Sequence, residues 1–127
     1  MSKMIVMDMD GTLLRSDGTC SEKTKKYLNN LKSEGHVIVL ATGRCFEEVM
    51  TSVDKAFFAN YIISHNGSVI YDVLKEKFIF ENKIPKDVVM AIASLYGEKT
   101  IERISFVTLN KYNRFTLEYH QDSKFVH

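Results

Sequence analysis

Four apolar residues, Met4-Ile5-Val6-Met7, run without a break into Asp8-Met9-Asp10-Gly11-Thr12. A short apolar run that stops at a pair of carboxylates reads as a buried strand feeding a polar loop. The same four residues are far short of the roughly 7 to 15 that a secretory signal core needs. No later run approaches the ~20 residues that span a bilayer. Cys20 and Cys45 have no C-x-x-C spacing and are too few for a disulfide scaffold. These features predict a cytoplasmic protein with no membrane partner.

Beyond the first strand, helical and extended patterns alternate. Ser21 is placed to cap a helix whose stripe of Thr24, Tyr27, Leu28 and Leu31 runs out at Gly35, a C′ residue. His36 to Ala41 is nearly continuous and β-branched, which predicts a parallel strand covered on both faces. Phe46, Val49, Met50 and Val53 recur at i, i+3, i+4 and i+7, the spacing of a helix laid on a sheet. Tyr61 to Ser64 predicts a third strand, and Ser68–Asp72 with Lys77–Glu81 predicts a hairpin. Pro85 stands where a first helical residue would, before Val88, Val89, Ile92, Leu95 and Tyr96. A second hairpin is expected from Ile104–Leu109 and Arg114–His120 around Asn110 to Asn113. The chain of 127 residues is short for two full domains. Its α/β alternation breaks near residue 84, so residues 1–84 and 85–127 are expected to be different units.

Charge narrows the function. Seventeen basic residues against sixteen acidic ones leave a net charge of +1, with no footprint for nucleic acid or anionic lipid. Any electrostatic effect must be local.

The local chemistry is placed where an open α/β sheet binds ligands, beyond the carboxyl ends of its strands. Asp8 and Asp10, then Thr42-Gly43-Arg44, then Ser64-His65-Asn66-Gly67 come after the three expected strands and would converge on one crevice. Carboxylates at i and i+2 can be aimed at a substrate and at its leaving group. Gly11 permits the turn between strand and helix. Thr42 offers a hydroxyl and Gly43 an unshielded N–H, both suited to phosphoryl oxygens, and Arg44 adds a cation. Plainer readings stand beside these. Asp-x-Asp-Gly-Thr is also a turn with local side-chain bonds, Arg44 a solvated arginine at a helix start, and Asn66-Gly67 an ordinary turn dipeptide. His65 reads as a loop histidine and Cys45 as a buried inert thiol.

Asp8-Met9-Asp10-Gly11-Thr12-Leu13-Leu14 together with Ala41-Thr42-Gly43-Arg44 closely resembles the haloacid dehalogenase superfamily, specifically the Cof-type phosphatases with a large cap. Asn66-Gly67 before an apolar strand is similar to the same branch. The resemblance implies an α/β fold: a Rossmann-like parallel sheet, present in part over residues 1–84, then the opening helix and hairpin of an α+β cap over 85–127. It implies a phosphatase of small phosphorylated metabolites in which Asp8 is the nucleophile and Asp10 the general acid and then base. Mg²⁺ would be held by Asp8 and the Asp10 carbonyl, with Thr42, Gly43, Arg44 and Asn66 on the substrate.

The resemblance also implies a lysine and a Gly-Asp-x-x-Asn-Asp-like segment after the cap, and residues 1–127 contain neither. Lys75, Lys77 and Lys83 precede the cap, and Asp122 stands alone. The expectation is therefore an N-terminal portion of a longer enzyme that alone binds Mg²⁺ poorly, turns over slowly and self-associates through unpaired strands. Two other classes compete. A receiver-like phospho-acceptor domain would need its aspartate after the third strand, where Ser64-His65-Asn66 stands. A non-catalytic assembly module would use its open strands to pair with another chain.

Overall fold

A computed structural model describes residues 1–53, 56, 58–95, 103–107 and 114–118. The elements are β1 (Met4–Met7), a wide helical turn (Met9–Leu13), α1 (Glu22–Ser33), β2 (Val37–Ala41), α2 (Phe46–Ser52), β3 (Tyr61–Ser64), a tight turn (His65–Gly67), β4 (Val69–Asp72), β5 (Lys77–Glu81), α3 (Lys86–Ser94), β6 (Arg103–Val107) and β7 (Arg114–Glu118). The chain divides into two units, Met1–Asn82 and Lys83–His127. No described helix is long and apolar enough to cross a membrane.

In the first unit the strands lie in the order β1-β2-β3-β4-β5. β1, β2 and β3 are parallel, with Ile5 opposite Ile38 and Leu40 opposite Ile62. The hairpin then extends the same sheet in the antiparallel sense, Ile63 facing Ile70 and Asp72 facing Lys77. Both helical crossovers step the same way across the sheet, so right-handed connections carry α1 and α2 to one face. The core shows this: Leu28 of α1 and Phe46, Val49 and Val53 of the α2 segment pack with Ile38, Leu40 and Ile62. Phe46, Tyr71 and Phe78 close it with ring centroids 4.5 to 5.2 Å apart. Such edge and tilted pairs are worth about 1 kcal/mol each beyond their buried area.

Local signals act as their chemistry requires. Ser21 caps α1 by accepting from Thr24 N at 3.0 Å. At the other end Gly35, at φ +87°, donates to Lys32 O at 3.1 Å, and His36 N reaches Leu31 O at 3.1 Å. These two bonds satisfy the last carbonyls of the helix, as in a Schellman stop. β2 is covered on both faces, Ile38, Val39 and Leu40 being at most 3% exposed. The Val73–Glu76 connection is held by Asp72, whose carboxylate accepts from Lys75 N at 3.0 Å and pairs with Lys75 Nζ at 3.2 Å.

Three expectations need correction. β1 is not a buried strand: Met4 is 66% and Val6 56% exposed, because β1 is an edge strand among the described residues, whereas Val39 beside Val6 in the register is 3% exposed. Tyr27 is 63% exposed and leaves the apolar stripe of α1 to Leu28, with Leu31 at its rim. Pro85 is the cap residue before α3, not its first helical residue. Its ψ of 144° is extended, and the helix runs from Lys86 to Ser94.

The second unit contains α3 and a two-stranded sheet in which β6 and β7 pair antiparallel, Arg103 opposite Glu118 and Val107 opposite Arg114. Both strands end short of the expected Leu109 and His120. The connection through Asn110 to Asn113, and Asp122, lie outside the described residues.

Candidate active site

At the end of β1 the chain alternates outward and inward. Asp8 is exposed, Met9 is fully buried, and Asp10 is exposed again. Met9 and Leu13 are the anchors, and Leu14 N closes the turn on Met9 O at 2.8 Å. Gly11 makes the turn possible at φ +72°, a region open to glycine and strained for other residues. The expected polar loop is thus a turn nailed to the core by its apolar members, which leaves both carboxylates exposed.

Those carboxylates are in different states. The Asp8 side chain has no hydrogen-bond partner among the described residues and does not cap the turn that follows it. Asp10 is held by Arg44: Nε donates to Oδ2 at 2.8 Å and Nη2 to Oδ1 at 2.6 Å. The hydrogen bonds from this guanidinium, with its charge, keep the Asp10 carboxyl below the ordinary carboxylate range. The pairing in turn raises Arg44 further.

The second loop, after β2, is laid against the third. Thr42 is nearly buried, donates its N–H to Ile63 O at 2.9 Å, and accepts from Arg44 N on Oγ1 at 3.2 Å. Its hydroxyl hydrogen meets no acceptor among the described residues. Arg44 O accepts from His65 N at 2.9 Å. A β-carbon on Gly43 would stand 2.7 Å from Asn66 Oδ1, so these two residues are in close approach. His65 and Asn66 both take left-handed conformations, at φ +52° and +54°. Ser64, fully buried, lies 3.2 Å from His65 Nδ1 through Oγ. His65 Nε2 and Glu47 Oε2 are buried without a partner among the described residues.

Of the residues singled out from sequence, the structure links Asp10 to Arg44 and Gly43 to Asn66, and Thr42 braces the loop between them. Arg44 is neither a solvated helix-start arginine nor a free cation. Cys45 is partly buried, and that burial pushes its thiol up, away from reactivity. Sequence reasoning passes over Ser52, the last residue of α2, whose Oγ accepts from Arg44 Nη1 at 2.9 Å. Its only signal is a position eight residues after Arg44, about two helical turns, which no motif marks. A cavity of about 510 Å³ lined by Arg44, Glu47, Glu48, Thr51 and Ser52 opens along this flank. Among the described residues no three His, Cys, Asp or Glu side chains cluster as a metal site.

Comparison with known proteins gives this geometry a lineage. Among curated sequences, a 5-amino-6-(5-phospho-D-ribitylamino)uracil phosphatase, YitU of Bacillus subtilis, is 28% identical over 102 residues, which is 80% of this chain and 38% of that protein. Phosphatase YwpJ of the same organism is 36% identical over 70 residues, 55% of this chain and 25% of that one. Among solved structures, a haloacid dehalogenase-like hydrolase from Bacteroides thetaiotaomicron superposes with a TM-score of 0.69 at 25% identity, covering 84% of this chain and 41% of its own. One from B. subtilis gives 0.67 at 27% identity, covering 84% and 36%. The chain therefore spans well under half the length of the relatives it matches. The pattern shared by haloacid dehalogenase-like hydrolases runs through residues 5–126, from the first strand across both units, and the chain belongs to that family.

Proposed function

We propose that this chain carries the phosphoryl-transfer loops of a phosphomonoester hydrolase acting on small phosphorylated metabolites. The observation that carries the reading is the contrast between the two carboxylates, Asp8 without a partner among the described residues and Asp10 held two residues away by Arg44. A nucleophile must be uncommitted, and a proton-transfer group must be held in place. The name of the YitU relative, which specifies a phosphorylated ribitylaminouracil, supports a small phosphorylated metabolite as substrate. Family membership supports hydrolysis as the reaction class.

In this reading Asp8 attacks phosphorus through one carboxylate oxygen, and the bond from phosphorus to the leaving oxygen breaks. Asp10 in its protonated form, the minor form while Arg44 holds the carboxylate, delivers that proton to the leaving oxygen and becomes a carboxylate, so that a neutral alcohol departs. The Asp10 carboxylate then takes a proton from water as the water oxygen attacks the aspartyl-phosphate. The acyl phosphate bond opens, inorganic phosphate leaves, and Asp8 is regenerated. Thr42 Oγ1 and the Gly43 N–H would donate to phosphoryl oxygens, and Asn66 would border the same oxygens across Gly43. Arg44, spent on Asp10, serves the acid and not the phosphoryl group directly.

An anionic nucleophile approaches an anionic ester only if the charge is offset. Mg²⁺ takes hard oxygen donors, usually one or two carboxylates with phosphate and several waters. An uncommitted Asp8 carboxylate and the Asp10 carbonyl are donors of that kind, so the residues fit the ion in type. When bound there, Mg²⁺ would supply positive charge against the phosphoryl oxygens.

A receiver-like domain would need a carboxylate at the end of the third parallel strand, and Ser64 and His65 hold that place. The test of the hydrolase reading is phosphate release from p-nitrophenyl phosphate with Mg²⁺, with slow turnover expected from residues 1–127. Asp8→Asn should abolish it, and beryllium fluoride should bind wild type and not the variant. Turnover that survives Asp8→Asn overturns the reading.

A further inference from the structure

Arg44 is anchored on every side. Its N–H and carbonyl are tied to Thr42 and His65, two of its guanidinium nitrogens grip Asp10, and the third donates to Ser52 Oγ at 2.9 Å. The grip on Asp10 alone would not fix that carboxylate. Asp10 is 58% exposed and Arg44 29%, and a water-exposed ion pair holds its geometry weakly against side-chain entropy. Two contacts to one carboxylate define a shared plane but leave the plane free to swing on the arginine stem. A contact on the guanidinium's remaining nitrogen removes that freedom. Ser52 can supply it because its own hydroxyl is set: Oγ donates to Glu48 O at 2.7 Å, which commits the hydrogen and leaves a lone pair for Arg44. The rigid part of the arrangement is therefore α2, and the guanidinium transmits its position to the β1 turn.

Position is what a proton-transfer group most needs. A general acid works within about 3 Å of the atom it protonates. A displacement of about 1 Å can cost on the order of a hundredfold in rate. We infer that Ser52, acting through Arg44, is a positioning residue that holds the Asp10 carboxyl for proton transfer to the leaving oxygen. This rests on the hydrolase reading above and adds a residue to it. It also has a signature that general damage to the fold lacks. Help from an acid is essential when the leaving group is a basic alkoxide and nearly superfluous when it is a nitrophenolate.

The experiment compares wild type, Ser52→Ala and Ser52→Thr on glycerol 2-phosphate and on 2,4-dinitrophenyl phosphate with Mg²⁺. Ser52→Ala should lower kcat on the glycerol ester about tenfold at unchanged KM and change the dinitrophenyl ester less than twofold. Ser52→Thr, which keeps the hydroxyl, should restore the glycerol ester. Equal losses on both esters, or none, with Asp8→Asn inactive, overturn the inference and leave the hydrolase reading standing. A readout without turnover is the ¹⁵N NMR signal of Arg44 Nε–H. It should be sharp and slow to exchange in wild type and Ser52→Thr and broadened in Ser52→Ala, and an identical signal in all three also overturns the inference. Hydrolysis of neither ester by wild type removes the hydrolase reading, and the catalytic meaning of Ser52 with it.

Discussion

The amide oxygen of Asn66 lies 2.7 Å from the point where Gly43 would carry a β-carbon. The second and third loops of the site therefore meet through an atom that Gly43 lacks. Gly43→Ala should destabilise the protein by about 1 kcal/mol, the low end for overpacking, because the obstructing atom is the tip of a side chain. Asn66→Ala in the same molecule should recover most of that loss, and urea unfolding of the double-mutant cycle measures it. Additive losses would mean that the two residues do not touch in solution.

Asp10 titrates under the influence of Arg44, whose hydrogen bonds and charge hold the carboxyl down. Arg44→Gln removes the charge, so the Asp10 carboxyl should titrate at higher pH. In the hydrolase reading Asp10 is protonated when it serves as acid and deprotonated when it activates water, so the pH optimum should move up in the same direction. ¹³C NMR of the aspartate carboxyls reads the first effect directly. An unmoved Asp10 signal would show the pair to be absent in solution.

Acid should weaken the fold through three carboxylates. Asp10 is lowered by Arg44, Asp17 by hydrogen bonds from Thr19, and Asp72 by the N–H of Lys75. For groups depressed in the folded state, the unfolded chain binds more protons between the two sets of values. Their stabilisation is therefore complete above the ordinary carboxylate range, near pH 4, and is lost as pH falls through the folded values. The unfolding midpoint should be nearly flat from pH 5 to 7 as far as these groups contribute, and fall as pH drops below the ordinary carboxylate range. Asp72→Asn should show a smaller acid-induced fall than wild type.

β1 presents Met4 and Val6 to solvent beside an edge with no partner strand among the described residues. An apolar face next to an unpaired edge favours association. Residues 1–127 should form dimers or larger species as concentration rises, and Val6→Lys should weaken that association about tenfold, near 1.4 kcal/mol. Sedimentation equilibrium decides between this outcome and a monomer throughout.

Much of the site is legible in the sequence. Asp8, Asp10 and Gly11 are close along the chain and their roles come from local rules: a strand end, two carboxylates at i and i+2, and a residue able to take positive φ. Ser21 and Gly35 bound α1 for the same reason, since capping is decided within a few residues. The contacts that give the site its character are of another kind. Arg44 reaches Asp10 across 34 positions of sequence, and Asn66 meets Gly43 across 23. Neither pairing has a periodicity or a motif, and the plain readings of Arg44 and Asn66 are reasonable without them. β1 misleads because an apolar run reports what could be buried, while burial depends on what lies over each face of the sheet.

The chain's own order of residues determined which elements form and in what succession, which loops bear polar groups, and the family to which it belongs, because those properties are set by neighbours along the backbone. Only the tertiary structure decided which carboxylate is held and which is left uncommitted, and that Ser52 braces the arginine doing the holding. Such choices depend on side chains from separate elements arriving within about 3 Å of one another, and that distance is set by how the sheet and its helices pack.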